Sequence, residues 1–356
     1  MSYVYFHQVT HSLISSDEAM HYGYKAITVI GTVALLSGGT TAIYAQTQPL
    51  LFPQHSFLST LIVAQSSAEE LFKRGMEKYQ QGNYSGAFND FTAAIRQDAN
   101  LTKAYYSRGL ARRKLGDNQG AIADYTELLK RNPQNVDAYL NRGVVYADQK
   151  KYREAIEDYT KALNLDPKNA IAYYNRGNAR NALGNAREAE ADYSKAIQLQ
   201  PNDATAYVNR GNARVQLGET QEAIADFTKA LGLNPNLVEA YYNRGIVRRR
   251  LGNIKEAIAD YDQAIQRDPN NAAAYYNRAI ARQQIGNPQA AIADYTEAIA
   301  ISPNFAKAYG NRGLLRYETG DARGAIEDLQ AAARLFSEQG LTADSQKALA
   351  LLRQLK

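Results

Sequence analysis

The chain has no cysteine and no tryptophan, and its four histidines, His7, His11, His21 and His55, all lie near the N-terminus of its 356 residues. Without cysteine there is no disulfide and no thiolate chemistry, which is compatible with an oxidising compartment without proving one. With neither Cys nor His after residue 55, the rest of the chain lacks the usual zinc ligands, the His base of a nucleophilic triad and imidazole acid–base catalysis. No Gly-rich phosphate loop is present, since the Leu-Gly-Asn and Leu-Gly-Asp pieces read as turns. Carboxylates are plentiful but recur at fixed spacing, so no unique catalytic pair stands out. These absences point to a protein that is not an enzyme and carries no cofactor or metal.

Charge is also nearly balanced. The net charge is +5, from 41 basic and 36 acidic residues that interleave along the chain. Short clusters such as Arg112-Arg113-Lys114 and Arg248-Arg249-Arg250 invite a nucleic-acid reading. A phosphate-tracking surface needs a contiguous basic stripe, however, so no nucleic acid is expected as partner.

Charge disappears altogether between Lys25 and Glu69. Within that stretch, Ala26 to Ala45 is apolar for about the length of a bilayer span, and it is interrupted by Ser37-Gly38-Gly39. The sequence therefore predicts a signal peptide or membrane anchor over 1–45 and a linker over 46–67, with cleavage sites after Ala45 or Ala64. Met20 begins a short basic lead, MHYGYK, directly before the apolar run and is a candidate start. The expected location is exported, in a periplasm, lumen or extracellular space, or else membrane-anchored through the N-terminal segment.

What the chain has in abundance is repetition. From Ala68 to Gln339 it repeats every 34 residues, eight times, without insertion or deletion: 68–101, 102–135, 136–169, 170–203, 204–237, 238–271, 272–305 and 306–339. Counting the first residue of each unit as position one, Gly stands at position eight in all units but one, where Ala279 replaces it. Ala stands at position twenty throughout, and an aromatic or Leu at twenty-four, from Phe91 to Leu329. Pro133, Pro167, Pro201, Pro235, Pro269 and Pro303 close six units. Each unit reads as two helices joined at a turn such as Gly184-Asn185, the second ended by a proline that cannot continue it. A single pair cannot bury its apolar face alone, so the pairs must stack into an all-α solenoid. Residues 340–356 place Leu341, Leu349, Leu352 and Leu355 along one side of a last helix, expected to cap the array.

Tyr at position four, Gly at eight, Ala at twenty, an aromatic at twenty-four, Ala at twenty-seven and Pro at thirty-two resemble the tetratricopeptide repeat. The resemblance covers about three quarters of the chain and implies a right-handed superhelix that binds protein or peptide partners. Position seven departs from that pattern. It is Arg in all eight units, from Arg74 to Arg312, and position twenty-three is Asp in all eight, from Asp90 to Asp328. The matched counts predict an Arg–Asp pair joining the two helices of each repeat, and predict that reversing both Arg210 and Asp226 would restore the stability either change removes. A basic strip for phosphate is the alternative. Position eleven is Arg at 112, 180, 214, 248, 282 and 316, which reads as a stem lying on apolar surface with its head in water.

Positions two, six, nine and thirteen of the first helix share a face. Position six is Asn at 141, 175, 209, 243, 277 and 311, position nine adds Asn178 and Asn212, and Tyr106, Tyr174, Tyr242 and Tyr276 at position five stand beside them. A carboxamide offers one acceptor and two donors, the complement of a peptide unit, so the row predicts an extended backbone as ligand. It resembles the asparagine ladder in the tetratricopeptide superhelix of O-linked N-acetylglucosamine transferase, whose catalytic domain has no counterpart here. The resemblance implies that this face lines the concave groove. The Lys at position five of the carboxylate clamp of chaperone-binding repeats is absent. The sequence thus predicts a peptide-binding scaffold. Two other readings are an assembly factor that meets a membrane complex through its outer face, and asparagines that merely join neighbouring repeats.

Overall fold

The computed structural model describes residues 66–355, and the predicted signal or anchor, the linker up to residue 65 and both cleavage sites fall outside them. Among the described residues there are seventeen helices and no strand. Eight pairs come first: α1 (Ala68–Gln80) with α2 (Tyr84–Gln97), α3 (Thr102–Lys114) with α4 (Asn118–Arg131), α5 (Val136–Asp148) with α6 (Tyr152–Leu165), and α7 (Ala170–Ala182) with α8 (Ala186–Leu199). Then follow α9 (Ala204–Leu217) with α10 (Thr220–Leu233), α11 (Val238–Arg250) with α12 (Ile254–Arg267), α13 (Ala272–Gln284) with α14 (Pro288–Ile301), and α15 (Ala306–Glu318) with α16 (Ala322–Glu338). The last helix is α17 (Thr342–Gln354). Each helix packs on the next in the chain, so the array is a linear stack without long-range closure. No helix among the described residues is long and apolar enough to cross a membrane.

Short polar side chains start the helices. Asn135, Asn169, Asp203 and Asn271 each accept from a backbone N–H inside the first turn, at 2.7–3.1 Å, and Asn83, Asp117 and Asp321 do the same for second helices. The turn inside each pair needs one residue in the left-handed region. Gly supplies it in seven repeats, for example Gly184 at φ 82°, but in the third repeat Lys150 holds φ 60°. That choice costs about 1–2 kcal/mol in backbone strain, so the third turn is the least favourable of the eight.

The helix pairs meet at position eight, and the contact there is with the aromatic of position twenty-four. A Cβ on Gly177 would lie 2.8 Å from Cε1 of Tyr193, so glycine there makes room for the aromatic ring at position twenty-four rather than for Ala189. The same holds for Gly75 with Phe91, Gly109 with Tyr125, Gly211 with Phe227 and Gly245 with Tyr261. These rings are completely buried, together with the Ala at position twenty. A ring can lie this close to the facing helix only where that helix carries little or no side chain, which is glycine in most repeats and Ala279 opposite Tyr295 in the seventh.

Buried charge joins the repeats. In all eight units the position-seven Arg binds the position-twenty-three Asp, as predicted, at 2.5–2.8 Å. The position-eleven Arg does not hold its head in water. It binds the second oxygen of the same Asp in six repeats, for instance Arg214 Nη1 to Asp226 Oδ2 at 2.8 Å. Lys78 does so in the first repeat, and only the third, with Tyr146 there, has a single cation per carboxylate. The position-seven Arg also donates Nη1 to a hydroxyl on the preceding repeat, such as Arg210 to Ser194 at 3.1 Å, or to Asp262 from Arg278. Seven of the eight guanidinium groups, all but Arg74 in the first repeat, therefore tie three helices together, and the row is internal wiring rather than a strip for phosphate.

At the C-terminal end α17 covers the last pair, though only part of the predicted leucine row takes part, Leu352 being buried and Leu355 half-buried. Ser345, Ala348 and Leu352 are buried, with Ser345 Oγ donating to Ala333 O at 2.8 Å, whereas Leu341 and Leu349 are exposed. The α16 surface already presents Phe336 and Leu335, so small residues of α17 fit against it.

Candidate functional site

The position-six asparagines lie half-buried along the first helices, and most of them bridge consecutive repeats. Asn141 donates to the Tyr106 hydroxyl at 3.0 Å, Asn209 to Tyr174 at 2.9 Å, Asn277 to Tyr242 at 3.0 Å and Asn311 to Tyr276 at 3.1 Å. Each tyrosine belongs to the preceding repeat. Where position five is apolar, at Leu140 and Val208, the link changes. Asn243 turns instead to Asn212 Oδ1 at 2.9 Å, and Asn175 makes no side-chain hydrogen bond among the described residues. Asn178 accepts from both Tyr193 (2.8 Å) and Asn209 (3.1 Å), while Asn212 donates to Glu239. The structure thus brings the predicted residues together as a connected row, and gives most of them a role between repeats.

The orientation of the carboxamides follows from their second partner. Asn141 and Asn277 each place Nδ2 against a backbone carbonyl of their own helix, Asp137 O and Ala273 O, both at 2.9 Å. A carbonyl only accepts, so the nitrogen must face it and the oxygen must face away. None of the six Oδ1 atoms receives a hydrogen bond from the described residues, so the row presents acceptors at one-repeat intervals. Beside it, the phenols are desolvated. Burial pushes Tyr106 up to about 12 and raises Tyr174, Tyr242 and Tyr276 as well, which keeps them protonated as neutral donors. Each pairs with the core tyrosine of its own repeat, at centroid separations of 5.8–6.2 Å.

Two buried phenols stand out: the hydroxyls of Tyr125 and Tyr261 have no hydrogen-bond partner. Sequence reasoning passed over them because position twenty-four looks like plain core. The row is an open surface rather than a cavity. One depression of about 150 Å³ lies at its N-terminal end, lined by Thr102, Lys103, Tyr106, Leu128, Asn135 and Asp137. No group of His, Cys, Asp and Glu among the described residues is placed to hold a metal.

Comparison with known proteins gives the same architecture. No curated protein matches the chain significantly. Among solved structures, the C-terminal part of a TPR repeat-containing protein from Cytophaga hutchinsonii shares 20% identity over 67% of this chain and 97% of its own, with a TM-score of 0.58. MamA shares 31% identity over 46% of this chain and 96% of its own, at a TM-score of 0.45. YrrB, described as a TPR protein with an unusual peptide-binding site, shares 26% over 52% of this chain and 95% of its own, at 0.47. Profiles of the tetratricopeptide repeat match residues 106–170, 208–272 and 242–306, and a further one matches 170–203. With helix pairs recurring at the 34-residue step through these segments, the chain belongs to the tetratricopeptide repeat family.

Proposed function

We propose that this array is a scaffold that holds an extended segment of a partner protein along the asparagine face. The observation that carries the reading is the row of six unoccupied carboxamide oxygens, at Asn141, Asn175, Asn209, Asn243, Asn277 and Asn311. Apart from Asn175, each spends an amide hydrogen on the preceding repeat, and Asn141 and Asn277 a second on their own helix, so the row is held in place before ligand arrives, and what it offers is acceptors for backbone N–H groups. Each such bond is worth about 0.5–1.5 kcal/mol net, and ordering a flexible ligand offsets part of the sum. Affinity in the micromolar range, spread over several repeats, follows from that balance.

The expected behaviour of variants differs from the simple ladder picture. Replacing Asn175, Asn209, Asn243 and Asn277 together by Ala should abolish partner capture. It should also lower stability, because three of the four bridge repeats, at roughly 0.5–1.5 kcal/mol per broken link. Asn175→Ala alone, which breaks no link, should weaken capture a few-fold at an unchanged melting temperature. A pull-down from the native membrane fraction with the purified protein as bait checks both. Full capture by the quadruple variant would move the binding surface elsewhere.

The uncharged stretch between Lys25 and Glu69 supports a location outside the cytoplasm or tethered to a membrane. N-terminal sequencing of the mature protein should begin near Gln46 or Gln65, or find an uncleaved anchor in the membrane fraction. An intact N-terminus in the soluble cytoplasmic fraction would sink this part of the proposal.

A further inference from the structure

The junction of the third and fourth repeats is unlike the others. In four repeats the position-six asparagine reaches back to position five of the repeat before it, where a tyrosine hydroxyl takes its amide hydrogen. Asn175 faces Leu140 at that place, which has nothing to accept with. The other five asparagines of the row each donate twice already, so Asn175 is the one whose two amide hydrogens and oxygen are all unspent among the described residues. It is half-buried, and neither its oxygen nor its nitrogen is shut off from solvent.

Beside it stands an apolar side chain open to water. Ile171 lies one turn before Asn175 on the same face, and at 53% it is more exposed than any other large apolar residue described. Its surroundings follow from the repeat. At the first junction its counterpart Lys103 lines a depression with Phe72, Lys73 and Met76, setting Nζ 4.7 Å from the centre of the Phe72 ring and binding Glu69. At the second, Asp137 lines another with Tyr106. Position two therefore flanks positions five, six and nine of the preceding repeat, and at the third junction those are Leu140, Asn141 and Val144, all half-buried.

Charge is withdrawn from the same stretch. Position two is ionised in five repeats, at Glu69, Lys103, Asp137, Glu239 and Lys307, and only the fourth has a large apolar residue there. From Ile171 onward the face stays neutral through two repeats, with Asn178, Ala182, Thr205, Asn209, Asn212 and Gln216 at the following face positions. On the third repeat it carries two acids, Asp137 and Asp148, and no base. An anionic side chain would meet no free cation here.

From these observations we infer that the junction of the third and fourth repeats is the anchoring subsite of the groove, and that it takes an uncharged, extended segment by one aliphatic side chain. A residue in an extended strand turns its N–H and C=O to the same side. Asn175 Oδ1 accepts from that N–H while Nδ2 donates to that C=O, a pair that no other asparagine of the row can form. A neighbouring Leu, Ile or Val of the ligand then covers Ile171 and Leu140. The inference rests on the groove reading and adds to it a register and a class of segment.

The test titrates three acetylated, amidated peptides of alternating Ser and Gln into the full chain, identical except for a central Leu, Gln or Glu. The Leu peptide should bind roughly tenfold tighter than the Gln peptide, as partial burial of one leucine side chain requires, and the Glu peptide should bind weakest. Ile171→Ser should erase the Leu advantage at an unchanged melting temperature, because the residue is exposed. Ile171→Lys, which copies Lys103 and Lys307, should turn the preference toward Glu. Leu140→Tyr gives Asn175 the hydroxyl partner found in four other repeats. It should weaken all three peptides about as much as Asn175→Ala does while holding or raising the melting temperature, which a purely structural role for Asn175 would not produce. Equal affinity for the three peptides, or a Leu advantage that survives Ile171→Ser, would overturn the subsite and leave the groove reading intact. Binding of none of the three by the unaltered chain would overturn both.

Discussion

Asp226→Ala should lower the free energy of unfolding by about 3–5 kcal/mol, the cost of stranding buried charge. The carboxylate is 3% exposed and accepts from Arg210 Nε at 2.9 Å, Arg210 Nη2 at 2.6 Å and Arg214 Nη1 at 2.8 Å. Its removal leaves two guanidinium groups facing each other with one remaining acid nearby, Glu190, which pairs with Arg214 and not with Arg210. Because the fifth repeat lies inside a linear array, the loss should also weaken the coupling between the two halves, and denaturant unfolding should broaden or split into two transitions. Circular dichroism against urea reads both effects. The charge swap Arg210→Asp with Asp226→Arg should fail to recover the loss, contrary to the expectation from the sequence, because the new arginine would face Arg214. In the third repeat, where Tyr146 replaces the second arginine, the swap at Arg142 and Asp158 should recover more. Equal recovery at the two sites would mean that the position-eleven arginines add nothing to the network.

The next largest effect is steric. Gly177→Leu should cost about 1–3 kcal/mol, since even its Cβ would stand 2.8 Å from Cε1 and 2.9 Å from Cδ1 of the Tyr193 ring. The ring, 1% exposed, can shift by a few tenths of an ångström but cannot make way for a whole leucine side chain. Gly177→Ala should be close to neutral, for two reasons. The array already carries Ala279 at this position, fully buried in the same cluster as Tyr295. Alanine also gains about 1 kcal/mol in helix propensity over glycine, offsetting the small displacement of the ring. Urea titrations of the two variants decide the matter. A Leu variant as stable as the parent would show that α7 and α8 are not in close contact at this point.

Much of this was legible in the chain because a period leaves little freedom. Glycine, alanine and aromatic residues at constant spacing specify helix pairs. The eightfold match of Arg with Asp specified their pairing without any coordinates. What stayed hidden was the second partner of each group. The position-eleven arginines look like solvated charges along a helix, and only packing brings them to the far oxygen of a carboxylate sixteen residues beyond position seven. The ring that meets Gly177 could not be chosen from sequence either, because Ala189 and Tyr193 lie on the same side of α8.

The asparagine row shows the same division most plainly. Its residue types, spacing and shared face followed from the sequence, since side chains at one helical phase in a fixed repeat must line up. Which of its atoms are occupied was decided by the stacking of neighbours, which sets a tyrosine hydroxyl of one repeat against the carboxamide of the next and leaves the oxygens free. The separate fates of Arg248, Arg249 and Arg250 have the same origin. Three identical side chains in a row differ in surroundings because each points a further 100° or so around the helix: Arg248 meets the buried Asp260, Arg249 is half-buried and Arg250 is exposed, and only the tertiary structure determines what stands in each direction.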